Sequence, residues 1–142
     1  MNSLFLDTNA VVYWMNPASE FHDDVDRLIG LALERRIALY LLTSQLNDVY
    51  CVLRRHYRSE PAARRAIDAA SRLFDLQPLT EEIVAASIAS EEPDYEDGLV
   101  RAAAEALSVD AIVSYDRTAF RTSTVPRLEA KDAQRLLEES PS

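Results

Sequence analysis

Two short apolar runs, one at the start of the chain and one near its end, each lead to an aspartate. Residues 4–6 precede Asp7, and residues 111–115 precede Asp116. Apolar runs of this length are typical of strands that are buried on both faces of a parallel sheet. Because ligands bind at the carboxyl edge of such a sheet, the two aspartates are candidate ligands of one divalent cation.

The rest of the chain alternates predicted helices with predicted strands. Helices are predicted at 9–15, 21–36, 43–58, 60–74, from Thr80 onward, at 94–107 and at 131–139, and further strands at 37–42, 76–79 and 124–128. Such alternation is typical of a parallel sheet with helices on both faces. The sequence therefore predicts an α/β fold, a three-layer α/β/α sandwich around a central parallel sheet of four to five strands. We expect one domain over residues 1–142.

Length and cysteine usage narrow the class of protein. A chain of 142 residues fits one domain. No apolar stretch approaches the roughly 20 residues that a membrane helix needs, and no basic region precedes a long apolar core at the N-terminus. Cys51 is the only cysteine, which excludes an intramolecular disulfide and indicates a reducing cytoplasm. Because Cys51 lies in an apolar segment, we expect it to be a buried structural thiol.

The charge balance argues against a strongly basic surface. The formal net charge is −9, from 24 acidic and 15 basic side chains, whereas nucleic-acid-binding proteins are usually basic. A nucleic-acid substrate would need a metal ion and local arginine clusters, or a basic partner would cover the acidic surface. Arg54, Arg55, His56 and Arg58 could contact phosphates, but a solvated helix end explains them better.

Four aspartates stand out by their local context: Asp7, Asp48, Asp97 and Asp116. Each has a structural explanation on its own, as a helix cap, a turn cap or an acid that favours a helix N-terminus. Two aspartates at strand ends and two near helix starts are harder to explain together. Asp94 is a further candidate, although helix capping alone accounts for it.

The order and setting of these acids resemble the PIN-domain family of metal-dependent ribonucleases over almost the whole chain. The matching stretches are Phe5 to Asn9, Gln45 to Val49, Asp94 to Asp97 before an Ala-rich helix, and Ile112 to Arg117 with Phe120. The first and third stretches match most specifically. The small size is similar to that of VapC-type toxins of toxin–antitoxin pairs.

The resemblance implies a PIN-like fold with Mg²⁺ or Mn²⁺ as cofactor, RNA as substrate, a homodimer, and a small antitoxin as partner. It also implies roles for individual residues. Asp7, Asp97 and Asp116 would hold the principal ion, and Asp48 would help to hold a second ion or orient the attacking water. The side chains that would orient these carboxylates through hydrogen bonds are Asn9 and Ser114.

Two departures from the family pattern leave an alternative open. Asp48 stands where the family usually has Glu, and Ser114 stands where Thr is more common. The shorter side chain of Asp48 keeps a second hypothesis open, a catalytically weak or inactive PIN-like scaffold that binds RNA or a protein.

A haloacid-dehalogenase-type phosphatase fits poorly, because Asn9 occupies the position of its second Asp. The chain also lacks the lysine that such a phosphatase needs, since Lys131 is its only lysine. A response-regulator receiver domain would need a central phosphorylatable Asp and a later lysine at a strand end, and neither is visible.

Overall fold

The computed structural model describes residues 1–139, which form a five-stranded parallel sheet between two layers of helices. The strands are β1 (Ser3–Leu6), β2 (Ala38–Leu42), β3 (Asp75–Gln77), β4 (Ala111–Val113) and β5 (Arg127–Leu128). The helices are α1 (Thr8–Trp14), α2 (His22–Glu34), α3 (Thr43–Tyr57), α4 (Glu60–Leu73), α5 (Glu81–Ala89), α6 (Tyr95–Leu107) and α7 (Ala130–Glu139). The predicted three-layer α/β/α class is confirmed.

The strand order is β3-β2-β1-β4-β5, so the first strand of the chain lies at the centre of the sheet. Leu4 of β1 is paired with Leu39 of β2 on one side and with Ala111 of β4 on the other. The order reverses direction between β1 and β4, which is where open α/β sheets form their ligand crevice. Asp7 follows β1 directly and donates its backbone N–H to the carbonyl oxygen of Val113 at 2.9 Å.

The alternation of side chains along the strands divides the core between the two faces of the sheet. Leu4 and Leu6 lie on one face and pack into a core with α1, α2, α3, α4 and α7. Phe5 and Ile112 lie on the other face, against α5 and α6. Both faces are apolar because helices cover both, as the continuous apolar runs of β1 and β4 predict.

The shorter strands and one helix start differ from the sequence prediction. The strand predicted at 76–79 is β3 at Asp75–Gln77, and the one predicted at 124–128 is reduced to Arg127–Leu128. Both are edge strands with only one neighbour, so fewer ladder hydrogen bonds fix their length. The sequence also predicts Thr43 or Ser44 as the N-cap of α3, whereas the residue at the N-cap is Leu42 and the helix begins at Thr43.

The expectation that Cys51 is buried is wrong. In α3 the buried positions are Gln45, Val49 and Leu53, which are spaced four residues apart and form one stripe. Cys51 lies two residues from Val49, so the helical turn of about 100° per residue places it on the opposite side, where it is exposed. Apolar neighbours in sequence do not imply burial in a helix.

The described helices include none that is long and apolar enough to cross a membrane.

Candidate active site

Asp7 is the central acid of the candidate site. It lies between β1 and α1 as the N-cap of the helix, and only 7% of its surface is exposed. Its Oδ1 accepts the N–H of Thr8 at 2.9 Å, and its Oδ2 accepts the hydroxyl of Ser114 at 2.7 Å. Burial raises the pKa of Asp7, and the hydrogen bond from Ser114 only partly offsets that effect.

Asn9 and Ser114 connect the carboxyl ends of β1 and β4 around this carboxylate. The side-chain amide of Asn9 lies 3.4 Å from both Asp7 Oδ2 and Ser114 Oγ, and its carbonyl oxygen accepts the N–H of Tyr115 at 3.2 Å. Ser114 is fully buried, and its Oγ also accepts the N–H of Asp116 at 3.1 Å. These bonds fix the direction in which the Asp7 carboxylate points.

Asp97 comes to the same place from the other helical layer. It lies in the first turn of α6, where its N–H donates to Oδ1 of the cap residue Asp94 at 2.8 Å. The side-chain atom Asp97 Oδ2 is buried and has no hydrogen-bond partner among the described residues. Burial, followed by the charges of Asp94, Asp7 and Asp116, raises the pKa of Asp97 to about 7. A carboxylate in this position needs a positive partner or a proton.

Asp48 and Glu96 complete a narrow cleft that Asp7 and Asp97 also line. The cleft has a volume of about 50 Å³ and lies between the end of β1, the start of α3 and the first turn of α6. Burial raises the pKa of Asp48. The pKa of Glu96 is raised as well, first by burial and then by the charges of Asp48, Asp94 and Asp7. Sequence reasoning missed Glu96, because an acid in a first helical turn is explained by the helix dipole.

Asp116 lies beside the cleft and is not among its lining residues. Its Oδ1 accepts both the N–H and the hydroxyl of Thr118, at 2.9 and 2.8 Å. These hydrogen bonds lower the pKa of Asp116. Its charge still acts on the pKa values of Asp7 and Asp97, which indicates that all three carboxylates share one acidic region.

Gln45 also lines the cleft, and the sequence analysis assigned no role to it. Its amide nitrogen donates to the carbonyl oxygen of Leu6 at 2.9 Å and to the hydroxyl of Thr8 at 3.3 Å. Its side-chain oxygen accepts the N–H of Leu42 at 2.8 Å. One buried amide thus joins the ends of β1 and β2 to the start of α3, which also carries Asp48. Its place three residues before Asp48 was the only signal in the sequence.

The donor set of the cleft suits a hard divalent cation. Across residues 1–139, no three carboxylate, imidazole or thiol side chains converge closely enough to form a ready-made metal site. The cleft nevertheless concentrates carboxylates, and the unpartnered Asp97 Oδ2 is a buried oxygen that a cation would satisfy. Mg²⁺ and Mn²⁺ prefer carboxylate and water oxygens and require few protein ligands. The residues present therefore fit such an ion.

The sequence profile of the PIN domain matches residues 3–118, which include all four candidate aspartates. The chain belongs to the PIN-domain family. The predicted resemblance to this family is thereby confirmed over most of the chain. No curated protein sequence matches this PIN domain.

Solved structures similar to this PIN domain support the same fold. VapC20 of Mycobacterium tuberculosis, described as a toxin that cleaves the sarcin–ricin loop, aligns with a TM-score of 0.66 and 15% identity, over 80% of this chain and 89% of that one. A toxin–antitoxin complex from Klebsiella pneumoniae aligns with a TM-score of 0.62 and 17% identity, over 89% of this chain and 97% of the other. At these identities the likeness concerns the fold.

Proposed function

We propose that this PIN domain is a metal-dependent endoribonuclease and the toxin of a VapC-type toxin–antitoxin pair. The observation that carries the proposal is the pair of buried carboxylates Asp7 and Asp97. They come from opposite helical layers and line one cleft at the carboxyl edge of the central strand. The solved relatives support the choice of reaction, since one is described as an RNA-loop-cleaving toxin and another as part of a toxin–antitoxin complex.

The residues in and beside the cleft would have different roles in phosphodiester hydrolysis. Asp7, Asp97 and Asp116 would hold Mg²⁺ or Mn²⁺, while Asn9 and Ser114 keep Asp7 oriented toward it. A bound ion would supply a Lewis acid that activates water and offsets the charge of the scissile phosphate. In the absence of a cation, burial and then the charges of neighbouring carboxylates favour the protonated forms of Asp7 and Asp97, as the raised pKa of each indicates.

Asp48 and Glu96 would share the role for which the family usually uses a single glutamate. Asp48 is one methylene shorter than Glu, so it reaches less far into the cleft. Glu96 lines the cleft as well, and its pKa is raised partly by the charge of Asp48. We expect these two side chains to orient the attacking water or to support a second ion.

The deciding experiment incubates the purified chain, free of copurified protein, with total cellular RNA and either Mg²⁺ or Mn²⁺. The Asp7→Asn and Asp97→Asn variants should abolish cleavage. The control is Asp23→Asn, which removes an acid from α2, outside the cleft. Discrete cuts that need the metal and the two aspartates would support the nuclease. If the folded protein cleaves nothing with either ion, the scaffold hypothesis takes its place.

The proposal includes a small antitoxin and a homodimer, with the protein acting in the cytoplasm. An acidic cleft of this kind would be neutralised by a basic side chain of the antitoxin. Coexpression with the product of the neighbouring gene, followed by copurification, tests the antitoxin. Light scattering of the purified chain tests the dimer, and a mass of 16.0 kDa in solution would contradict it.

A further inference from the structure

An ion pair between a buried carboxylate and a partly buried guanidinium lies outside the candidate cleft, between the loop before α6 and the helix itself. Oε2 of Glu92 accepts from Nη1 of Arg101 at 2.9 Å, and the side chains are only 3% and 19% exposed, respectively. Burying two charges costs free energy, and apolar residues of similar size often serve stability as well. The hydrolysis mechanism assigns no role to this pair.

The pair also holds the loop that follows β4. The second carboxylate oxygen of Glu92 accepts the backbone N–H of Phe120 at 2.7 Å. Arg101 donates to the hydroxyl of Thr122 at 2.8 Å and to its carbonyl oxygen at 3.1 Å. Phe120 has a φ of +66°, a backbone conformation that an aromatic residue adopts only where the surrounding structure enforces it.

The ion pair joins two segments that carry acids of the candidate site. One segment carries Asp97 in α6, and the other carries Asp116 after β4. Glu92 lies two residues before Asp94, which caps α6, and Arg101 lies one helical turn after Asp97 on the same helix. Phe120 lies four residues after Asp116, in the loop between β4 and β5. The Glu92–Arg101 pair therefore links the backbone around Asp97 to the backbone beyond Asp116, and Glu105 of α6 adds weaker contacts to Ser123 and Thr124 further along that loop.

We infer that Glu92 is a positioning residue of the metal site: through Arg101 and Phe120 it sets the distance between Asp97 and Asp116. The inference rests on the proposed function. A link that served only stability could join any two segments. This one joins the segments that carry two of the three carboxylates proposed to hold the principal ion, and a carboxylate displaced by even 1 Å loses much of its value as a ligand. Removal of supporting hydrogen bonds at metal sites weakens metal affinity by about 10- to 100-fold.

The test measures Mn²⁺ alone binding to the intact chain, by electron paramagnetic resonance and calorimetry, together with the thermal midpoint of each variant. We expect Glu92→Gln to weaken Mn²⁺ affinity by about tenfold or more. Two controls accompany it. Asp68→Asn breaks an exposed ion pair with Arg72 on α4, and Leu137→Ala destabilises the core under α7 without touching the site.

The Mn²⁺ affinities of the variants decide whether Glu92 positions the site. Weaker Mn²⁺ binding by Glu92→Gln, with near-normal binding by an equally destabilised Leu137→Ala, supports a positioning role. Normal binding by Glu92→Gln overturns that role and leaves the nuclease intact. A wild-type chain that binds no Mn²⁺ overturns the metal-dependent function and this inference with it. If Glu92→Gln does not fold, Thr122→Val takes its place as the test variant, because it removes the exposed hydrogen bond from Arg101 to the hydroxyl of Thr122. A twofold or greater loss of affinity is then expected, and unchanged affinity rejects the inference.

Discussion

Ser114 connects Asp7 and Asp116 through one buried hydroxyl, which donates to the carboxylate of Asp7 and accepts from the N–H of Asp116. Ser114→Ala should destabilise the protein by about 1–2 kcal/mol, because both partners lose a buried hydrogen bond. Mn²⁺ affinity should fall by about tenfold, since the Asp7 carboxylate is no longer held. Ser114→Thr keeps the hydroxyl and is the control. Calorimetric titration checks both variants, and equal affinity for Ala and Thr would contradict the assignment.

Asp97 makes the stability of the metal-free chain depend on pH. The folded chain keeps a proton on Asp97 up to a pKa of about 7, whereas an ordinary Asp releases it near 3.8. The free energy of unfolding therefore falls as pH rises through this interval. In EDTA, Asp97→Asn should melt above wild type at both pH 8 and pH 5, and the difference should be about two to three times larger at pH 8, because only about a third of the interval lies below pH 5. Melting curves at both pH values check this prediction, and parallel pH profiles would contradict it.

Sequence reasoning identified the candidate aspartates but not the side chains that support them. Asp7 and Asp116 follow strands, so the rule that ligands bind at the carboxyl edge was enough to propose them. Gln45 and Glu92 gave no comparable signal, because each works through contacts with segments distant in sequence. Only the folded chain shows that these two polar side chains are buried and what they hold.

At the scale of elements, the two glycines of the chain offer a matched pair of substitutions. A Cβ at Gly98 in α6 would lie 2.3 Å from Ser87 Oγ and 3.0 Å from the backbone of Ser87. Gly98→Ala should therefore push α5 from α6 and cost about 1–3 kcal/mol. A Cβ at Gly30 in α2 would meet nothing within 4 Å, so Gly30→Ala should stabilise that helix by up to about 1 kcal/mol. Urea unfolding measures both changes, and the same sign for both would contradict the packing argument.

The elements themselves were largely predictable, and the exceptions have physical causes. The helix starts predicted at Thr80 and Asp94 are correct, because each side chain accepts a backbone N–H three residues later. The edge strands β3 and β5 were the least accurate, since their length depends on neighbouring strands and not on their own apolar pattern. Strand order was not predicted, because it depends on pairing between distant segments.

At the scale of the whole molecule, the basic side chains of this acidic chain are concentrated in one stretch of the sequence. Residues 54–72 carry six of the 15 basic side chains and only two acidic ones, along the end of α3 and the whole of α4. Arg55 lies two turns beyond Asp48 on the same side of α3, roughly 10 Å along the helix axis. If RNA enters the cleft, Arg55 is well placed to contact its phosphates. This role is more specific than the solvated helix end by which the sequence analysis explains Arg55.

We expect the Arg54→Glu/Arg55→Glu double variant to bind RNA about tenfold more weakly in an Asp7→Asn background that prevents cleavage. The slope of log affinity against log salt should become shallower by about two, because two phosphate contacts are lost. Arg135→Glu is the control, since Arg135 lies on α7 beside Asp132. Filter binding at several salt concentrations measures both variants. An equal loss of RNA affinity in the Arg135→Glu control would mean that the change in net charge, and not phosphate contacts of Arg54 and Arg55, weakens binding.

The central place of β1 also determines when this protein can first become active. β4 is synthesised more than 100 residues after its neighbour β1, since Leu4 pairs with Ala111. A growing chain therefore cannot pair β1 with β4, or bring Ser114 to Asp7, until the residues between them and β4 itself have left the ribosome. Closing such distant pairs slows folding and exposes unpaired strand edges meanwhile. On the proposed function, a chain that stops before β4 lacks both Ser114 and Asp116 and is inactive toward RNA.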